Sequence, residues 1–335
     1  MNTAGPVLVL GAGSWGTALG LVLARNGNDT YLWDADGEHI GLLRQSRSNE
    51  RHLPGIPFPD RLLPIAALAE LPQQIGDVVA AVPCEFLRDA LRTLREHGPR
   101  TARLCLAGKG LEPGTHALNH EVAAECLGPL SVAVLSGPSF AGEVARELPT
   151  VVTIASTEPS VAAHFAGRFH GGTFRVYTHE DIIGVQVGGA VKNVMAIAAG
   201  IADGLGFGAN TRAALITRGL AEILRLGIAM GGRRETFMGL AGLGDLVLTC
   251  TDDQSRNRRF GLALARGISP DDARREIGQA VEGLRTTAVV IELARRHGIE
   301  MPISREVGRV IHGDCTPAEA VRELLGRERR DELES

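Results

Sequence analysis

Lysine is nearly missing from this chain. Its 335 residues include 35 basic side chains, of which only Lys109 and Lys192 are lysines, leaving 35 − 2 = 33 arginines. Arginine serves wherever other proteins place surface lysine, so the two lysines mark positions that arginine cannot fill. The chemical difference is proton exchange. Burial and neighbours tune a lysine to lose and regain a proton near neutral pH, whereas arginine stays charged. Both lysines also sit among small residues, Ala107-Gly108-Lys109-Gly110 and Gly189-Ala190-Val191-Lys192-Asn193. Perturbed ionisable groups in such settings mark sites; the bland alternative is a pair of ordinary exposed lysines.

Cysteine is scarce as well. Cys84, Cys105, Cys126, Cys250 and Cys315 are odd in number, form no C-x-x-C pair, and three of them lie in apolar runs. This fits a reducing cytosol and gives no basis for disulfides or a bound metal. No window of about 18 uncharged apolar residues reads as a membrane span. The densest small-residue stretch, residues 185–202, is interrupted by Gln186, Lys192 and Asn193. A first strand near Val7 leaves no room for a signal peptide. The net charge of −4 disfavours a nucleic-acid surface, and an apolar fraction of 44% describes a soluble globular protein. The length suggests more than one domain. There is no internal repeat, and the mixed charges of residues 327–335 predict a solvated end.

The apolar run at residues 7–10 reads as a strand buried on both faces. Gly11-Ala12-Gly13-Ser14-Trp15-Gly16 follows at once, then a helix over residues 17–25 stopped by Asn26-Gly27, then a strand over residues 30–33 ending in Asp34. Strand, glycine loop, helix, strand and acid in this order describe a dinucleotide site. Gly11 makes the tight turn, Gly13 admits a pyrophosphate, and Gly16 lets helix and strand pack closely; the pyrophosphate then meets free N–H groups at a helix N-terminus. Asp34 stands near the place of a ribose-binding acid, although it could serve only as a cap. Further strands are predicted at residues 77–82, 103–107 and 132–135, with short ones at 151–155 and 174–177. The glycine loop, Pro83, Lys109 and the loop Ser136-Gly137-Pro138-Ser139-Phe140-Ala141 all follow strands, so they are expected to face one crevice. Residues 51–64, with four prolines, read as an irregular loop.

From about residue 181 the pattern turns helical. Ile183, Val187, Val191, Met195 and Ala198 recur at helical spacing, with Lys192 one position off the stripe. Asn210 is expected to cap a helix over residues 211–230, and another helix is expected at 286–297. Ser255-Arg256-Asn257-Arg258-Arg259 offers guanidinium forks to an anion, or is merely a solvated basic turn. Asp245, in Gly242-Leu243-Gly244-Asp245-Leu246, is a site residue or a helix cap. The fold class is therefore α/β, with an N-terminal Rossmann-type doubly wound sheet over residues 1–180. An all-helical C-terminal domain over 181–328 and a charged tail over 329–335 complete it.

These segments, together with Gly188-Gly189-Ala190-Val191-Lys192-Asn193-Val194, Asp203-Gly204-Leu205-Gly206-Phe207-Gly208-Ala209-Asn210 and Gly242 through Thr251, resemble bacterial NAD(P)-dependent glycerol-3-phosphate dehydrogenase over essentially the whole chain. The resemblance implies that Lys192 is the proton acceptor and that Lys109 contacts substrate and cofactor. It places Gly137, Ser139, Asp245, Ser255, Arg256 and Asn257 at the substrate, and Ser14, Trp15, Ala141, Arg256, Ala280 and Glu282 at the cofactor. It also implies a cytoplasmic homodimer that supplies sn-glycerol 3-phosphate for phospholipid synthesis from dihydroxyacetone phosphate. Burial and a second cation would lower the Lys192 pKa; Asp245 would raise it and orient the amine. Many relatives carry a basic residue where this chain has Ala35, after a small residue where it has Asp34, which favours NAD over NADP here. Two other readings compete: a lysine-dependent dehydrogenase of a sugar-acid phosphate or β-hydroxy acid, and a non-catalytic dinucleotide sensor, which would need no Lys109, Lys192 and Asp245 together.

Overall fold

The computed structural model describes residues 5–72 and 74–327, so the charged tail at 329–335 lies outside the described residues. The chain forms two compact units, one of residues up to Glu112 with Ala117–Ile182, the other of Pro113–His116 with the residues from Ile183 onward.

The described residues of the first unit form ten strands: β1 (Val7–Leu10), β2 (Thr30–Trp33), β3 (Ser48–Asn49), β4 (Leu53–Pro57), β5 (Leu62–Ile65), β6 (Asp77–Ala80), β7 (Arg103–Leu106), β8 (Ser131–Ser136), β9 (Thr150–Ala155) and β10 (Phe174–His179). Eight of them make one sheet in the order β10-β9-β8-β7-β6-β1-β2-β5. The six strands from β5 to β8 run parallel. β9 joins β8 antiparallel, and β10 follows β9 in parallel. Both faces of the sheet are covered at its central strands β1 and β6, which are buried along their whole length and so do not alternate. Val7, Val9, Leu32 and Val79 pack into one cluster with Leu19, Leu23 and Phe165 from the helices Ser14–Arg25 and Pro159–Phe169. Leu8, Leu10, Val78 and Leu104 point the other way and are as fully buried. The chain order reverses about β1, so the carboxyl ends of β1 and β6 open the crevice where such sheets take ligands.

Residues 51–64 are not an irregular loop. β4 pairs antiparallel with β3, and β5 is the edge strand of the main sheet, with Pro64 opposite Leu32. Proline is compatible with an edge strand because one side of it needs no ladder donor.

Asp77 opens β6 at 1% exposure. Its carboxylate accepts from Arg103 Nε at 2.7 Å and His164 Nε2 at 2.7 Å, and it pairs with Arg168. Arg168 also donates to Gly5 O at 2.7 Å and Asn28 Oδ1 at 2.8 Å, tying its helix across the amino ends of the strands. Burial alone would raise the Asp77 pKa; the His164 and Arg103 hydrogen bonds and the Arg168 charge outweigh it and hold the carboxyl below its ordinary value.

The second unit is helical. Its first helix, Ile182–Gly204, is long and apolar enough to cross a membrane, yet 94% of its most apolar window is buried inside the protein. The charge of Lys192 interrupts this stretch, and packing makes it a core helix. The next helix is Ala209–Ala229 with Gly208 at its N-cap, so Asn210 lies inside the first turn rather than capping it. Glu222 of that helix, 1% exposed, caps the helix Pro302–His312. It accepts from Ile303 N at 2.5 Å, Ser304 N at 3.1 Å and Ser304 Oγ at 2.9 Å. The helix predicted at residues 286–297 begins earlier, as Glu282–His297.

Breaking a buried charge network by removing one partner costs about 3–5 kcal/mol. Asp77→Ala is therefore expected to lower the unfolding free energy of the first unit by that order, read from its denaturant midpoint. Because the folded carboxyl is held low, its contribution is present above the unfolded pKa and is lost as pH falls through the folded one. Asp77→Asn should flatten the acid limb of the stability profile; an unchanged acid limb in equilibrium unfolding would contradict this.

Candidate active site

The first unit gathers the glycine loop, Lys109 and the Ser136–Ala141 loop at the carboxyl ends of β1, β7 and β8. Gly11 has φ +103°, and a Cβ on Gly16 would lie 1.9 Å from Gly11 O, so neither position admits a side chain. Gly13 caps the helix Ser14–Arg25 without a side-chain hydrogen bond, and a Cβ there would meet nothing within 4 Å. An uncapped helix N-terminus beside open space fits a pyrophosphate. Asp34 is not a helix cap: Asp36 caps the helix Gly37–Ser46, while Asp34 Oδ2 accepts from Ala12 N at 2.7 Å and Oδ1 from Asp36 N at 3.0 Å. The carboxylate is thereby fixed against the glycine loop, with Ala35 exposed beside it. Ser14 Oγ donates to His52 O at 2.8 Å, and Trp15 Nε1 to Ala107 O at 3.1 Å. The Trp15 ring faces Lys109, whose Nζ lies 5.9 Å from the ring centroid. Lys109 Nζ donates to Gly137 O at 2.7 Å and Ser139 Oγ at 3.3 Å. Ala141 begins the short helix Ala141–Ala145 just beyond.

In the second unit Lys192 is 6% exposed and Asp245 1%. Lys192 Nζ donates to Asp245 Oδ1 at 2.7 Å and to Thr249 Oγ1 at 2.8 Å. Asp245 is the first residue of the helix Asp245–Thr251, entered from a π-helical turn at Leu240–Gly244. It is thus more than a cap. That turn comes close because Gly188, one turn before Lys192, has no side chain; a Cβ there would lie 2.8 Å from Ala241 O. Thr249 was not singled out within the segment from Gly242 to Thr251. Its spacing of four from Asp245 places both on one helical face, a signal that could have identified it. Cys250 follows, and burial pushes its thiol up to about 12, so it carries no charge beside Lys192.

The structure separates the three arginines that composition treats alike. Ser255 caps the helix Arg256–Ala265, its Oγ accepting from Arg258 N at 3.2 Å. Arg256, in the first turn, has one long bond, Nη1 to Gln279 Oε1 at 3.5 Å. Burial pulls its pKa below the ordinary guanidinium value, partly offset by the Glu282 carboxylate. Asn257 donates to Asn193 Oδ1 at 2.9 Å and accepts from Gly283 N at 2.9 Å, which links the Lys192 helix to the start of Glu282–His297. Arg258 is held between carboxylates, and Arg259 is exposed. Ala280 lies exposed in the segment before Glu282. Asn193 was not singled out from the sequence.

A sheet fitted to a dinucleotide, joined in one chain to a helical unit holding a buried lysine–carboxylate pair, defines a nicotinamide-dependent dehydrogenase. The chain belongs to the NAD-dependent glycerol-3-phosphate dehydrogenase family, whose N-terminal model matches residues 6–162 and whose C-terminal model matches residues 181–322. It is 55% identical over 326 residues to glycerol-3-phosphate dehydrogenase [NAD(P)+] of Nitrosococcus oceani, covering 97% of this chain and 95% of that one. Against the enzyme of the same name from Thioalkalivibrio sulfidiphilus the identity is 54%, over 98% and 99%. The crystal structure of glycerol-3-phosphate dehydrogenase from Coxiella burnetii superposes with a TM-score of 0.93 at 48% identity, covering 96% of this chain and 99% of that one.

Proposed function

We propose that this protein is an NAD(P)-dependent sn-glycerol-3-phosphate dehydrogenase, interconverting sn-glycerol 3-phosphate and dihydroxyacetone phosphate to supply phospholipid synthesis. The observation that carries the reading is the buried Lys192–Asp245–Thr249 constellation in a chain of this family. The glycine loop, Ser14, Trp15, Asp34 and Lys109 would hold the cofactor, with Ala141, Arg256, Ala280 and Glu282. A bound nicotinamide supplies the hydride to C2 of dihydroxyacetone phosphate and takes it back from sn-glycerol 3-phosphate. In reduction the Lys192 ammonium gives a proton to the C2 oxygen; in oxidation the neutral amine accepts the hydroxyl proton. Asp245 and Thr249 orient the amine. Lys109, held by Gly137 and Ser139, offers a fixed positive charge to the developing oxyanion. Arg256, Asn257 and the N-terminus of the helix Arg256–Ala265, capped by Ser255, receive the phosphate. Arg256 suits this role because it is a partly desolvated cation held only by a long bond to a neutral amide. A panel of phosphorylated and unphosphorylated ketones tests the substrate; a β-keto acid or sugar-acid phosphate turned over faster would favour the competing reading.

The family likeness also implies a cytoplasmic homodimer. Five free thiols suit a reducing compartment. A groove of about 800 Å³ in the second unit supports self-association. Leu325, 79% exposed, and Phe207, 38% exposed, stand on it as knobs beside a hole. Its rim charges Arg327 and Glu300 already pair with one another at 3.2 Å, so the face calls for an apolar surface of the same kind. Sedimentation velocity at micromolar protein reads the assembly directly, and a monomer there sinks the homodimer reading.

Lys192→Ala should lower kcat by roughly 10²–10⁴ with cofactor affinity unchanged, as for loss of a general acid–base. Lys192→Arg should be nearly as poor, since arginine does not release its proton; near-parental turnover by either variant would refute the role.

Arg256→Ala should weaken dihydroxyacetone phosphate by about 1.5–3 kcal/mol in kcat/KM, the worth of a charged hydrogen bond. Unphosphorylated dihydroxyacetone should be affected little. Equal losses on both substrates would show that Arg256 does not bind phosphate.

NADH should be preferred over NADPH roughly tenfold in kcat/KM, or about 1.4 kcal/mol. A 2′-phosphate would stand against the fixed Asp34 carboxylate, a contact of order 4 kcal/mol at 4 Å and an effective dielectric of about 20, before screening. Nearby arginines are engaged: Arg25 with Ala145 O and Glu147, Arg44 with Pro64 O and Glu70, Arg51 with Asp36. Steady-state kinetics with both cofactors, on the parent and on Asp34→Ala/Ala35→Arg, check this; equal efficiency in the parent contradicts it.

A further inference from the structure

We propose that Arg258 is a positioning residue that fixes the phosphate-binding helix relative to the proton-transfer pair. The inference rests on the reading of Arg256 and Asn257 as phosphate ligands. Arg258 is 7% exposed and directs its guanidinium away from Arg256, into the protein. Nη2 donates to Asp203 Oδ2 at 2.6 Å, Nε donates to Cys250 O at 3.2 Å, and Nη1 pairs with Asp253.

Those partners lie on separate elements. Asp203 is in the last turn of Ile182–Gly204, the helix that carries Lys192. Cys250 is in Asp245–Thr251, the helix that carries Asp245. Arg258 itself is in the first turn of Arg256–Ala265. One planar guanidinium therefore ties together the three elements that hold the proton donor, its carboxylate partner and the phosphate ligands. Asp203 is braced in turn by Arg212, whose Nε lies 3.1 and 3.0 Å from its two oxygens.

The backbone reinforces the same junction. A Cβ on Gly200 would lie 2.0 Å from Arg258 O, and a Cβ on Gly261 would lie 2.1 Å from Ile197 O. The Lys192 helix and the phosphate helix thus touch main chain to main chain at Arg258, and any swing of the latter moves Arg256 and Asn257 together. Lysine cannot replace this contact, because a single ammonium on a flexible stem does not present a rigid fork to acceptors on three elements.

The test compares Arg258→Lys and Asp203→Asn with Arg256→Ala. For each purified variant, kcat/KM is measured with dihydroxyacetone phosphate and with unphosphorylated dihydroxyacetone, alongside Kd for NADH by fluorescence and Tm. If Arg258 positions the phosphate ligands, the ratio of the two kcat/KM values falls on the order of ten- to a hundredfold, the scale of an ångström-sized misplacement, while Kd for NADH stays at the parental value. A general structural role lowers Tm and scales both substrates together. An unchanged ratio in folded Arg258→Lys and Asp203→Asn overturns the proposal. Should Arg258→Lys fail to fold, Asp203→Asn keeps the bonds to Cys250 and Asp253 and carries the same prediction. If Arg256→Ala alone shifts the ratio, the positioning role fails and the phosphate reading stands; if Arg256→Ala leaves it unchanged, the phosphate reading fails.

Discussion

An ammonium kept out of water constrains everything around it. Desolvating an ion costs several kcal/mol even after relaxation, and a partner must return it through close contact. Lys192 meets that requirement with Asp245 at 2.7 Å and Thr249 at 2.8 Å. The requirement then propagates. The π-helical turn before Asp245 must press against the Lys192 helix, so Gly188 has no side chain. The Cys250 thiol beside it stays neutral because burial outweighs the pull of the Lys192 and Arg258 charges. Gln186 and Asn193 of that core helix are buried with Lys192.

The two lysines do different work because their partners differ. Lys109 is half-buried among a backbone carbonyl, a hydroxyl and an indole face. Lys192 faces a carboxylate that can balance its ammonium form and remain behind when the proton leaves. A chain with 33 arginines kept lysine in both places. Lys192 is buried against Asp245, while Lys109 Nζ lies 5.9 Å from the Trp15 ring centroid.

Much of this was legible in the sequence, for physical reasons. Strands buried on both faces read as unbroken apolar runs, so β1, β2, β6, β7 and β8 were visible along with the glycine loop. The antiparallel direction of β9 was not, because local pattern does not encode strand polarity. Nor was β5, whose Pro64 closes a proline-rich, loop-like stretch. Composition and family likeness singled out Lys192, Asp245 and Arg256, and the fold brings Lys192 and Asp245 together. The distinction between Arg256 and Arg258 was hidden, since adjacent arginines differ only in what the fold sets opposite them. Asn193 and Asp203 escaped for the same reason: an Asn–Asn bond or an acid at a helix end acquires meaning only once distant segments meet.

The prolines that disguised β5 have a further consequence. An open sheet ends in a row of unpaired donors and acceptors that can recruit a strand from another molecule. One of the two borders here is β5, a four-residue strand whose Pro64 has no N–H to offer. The edge is too short and too poor in donors to template a growing ladder. Residues that look like a failure of secondary structure act as a stop at the margin of the sheet, and they leave the crevice at β1 and β6 well away from it.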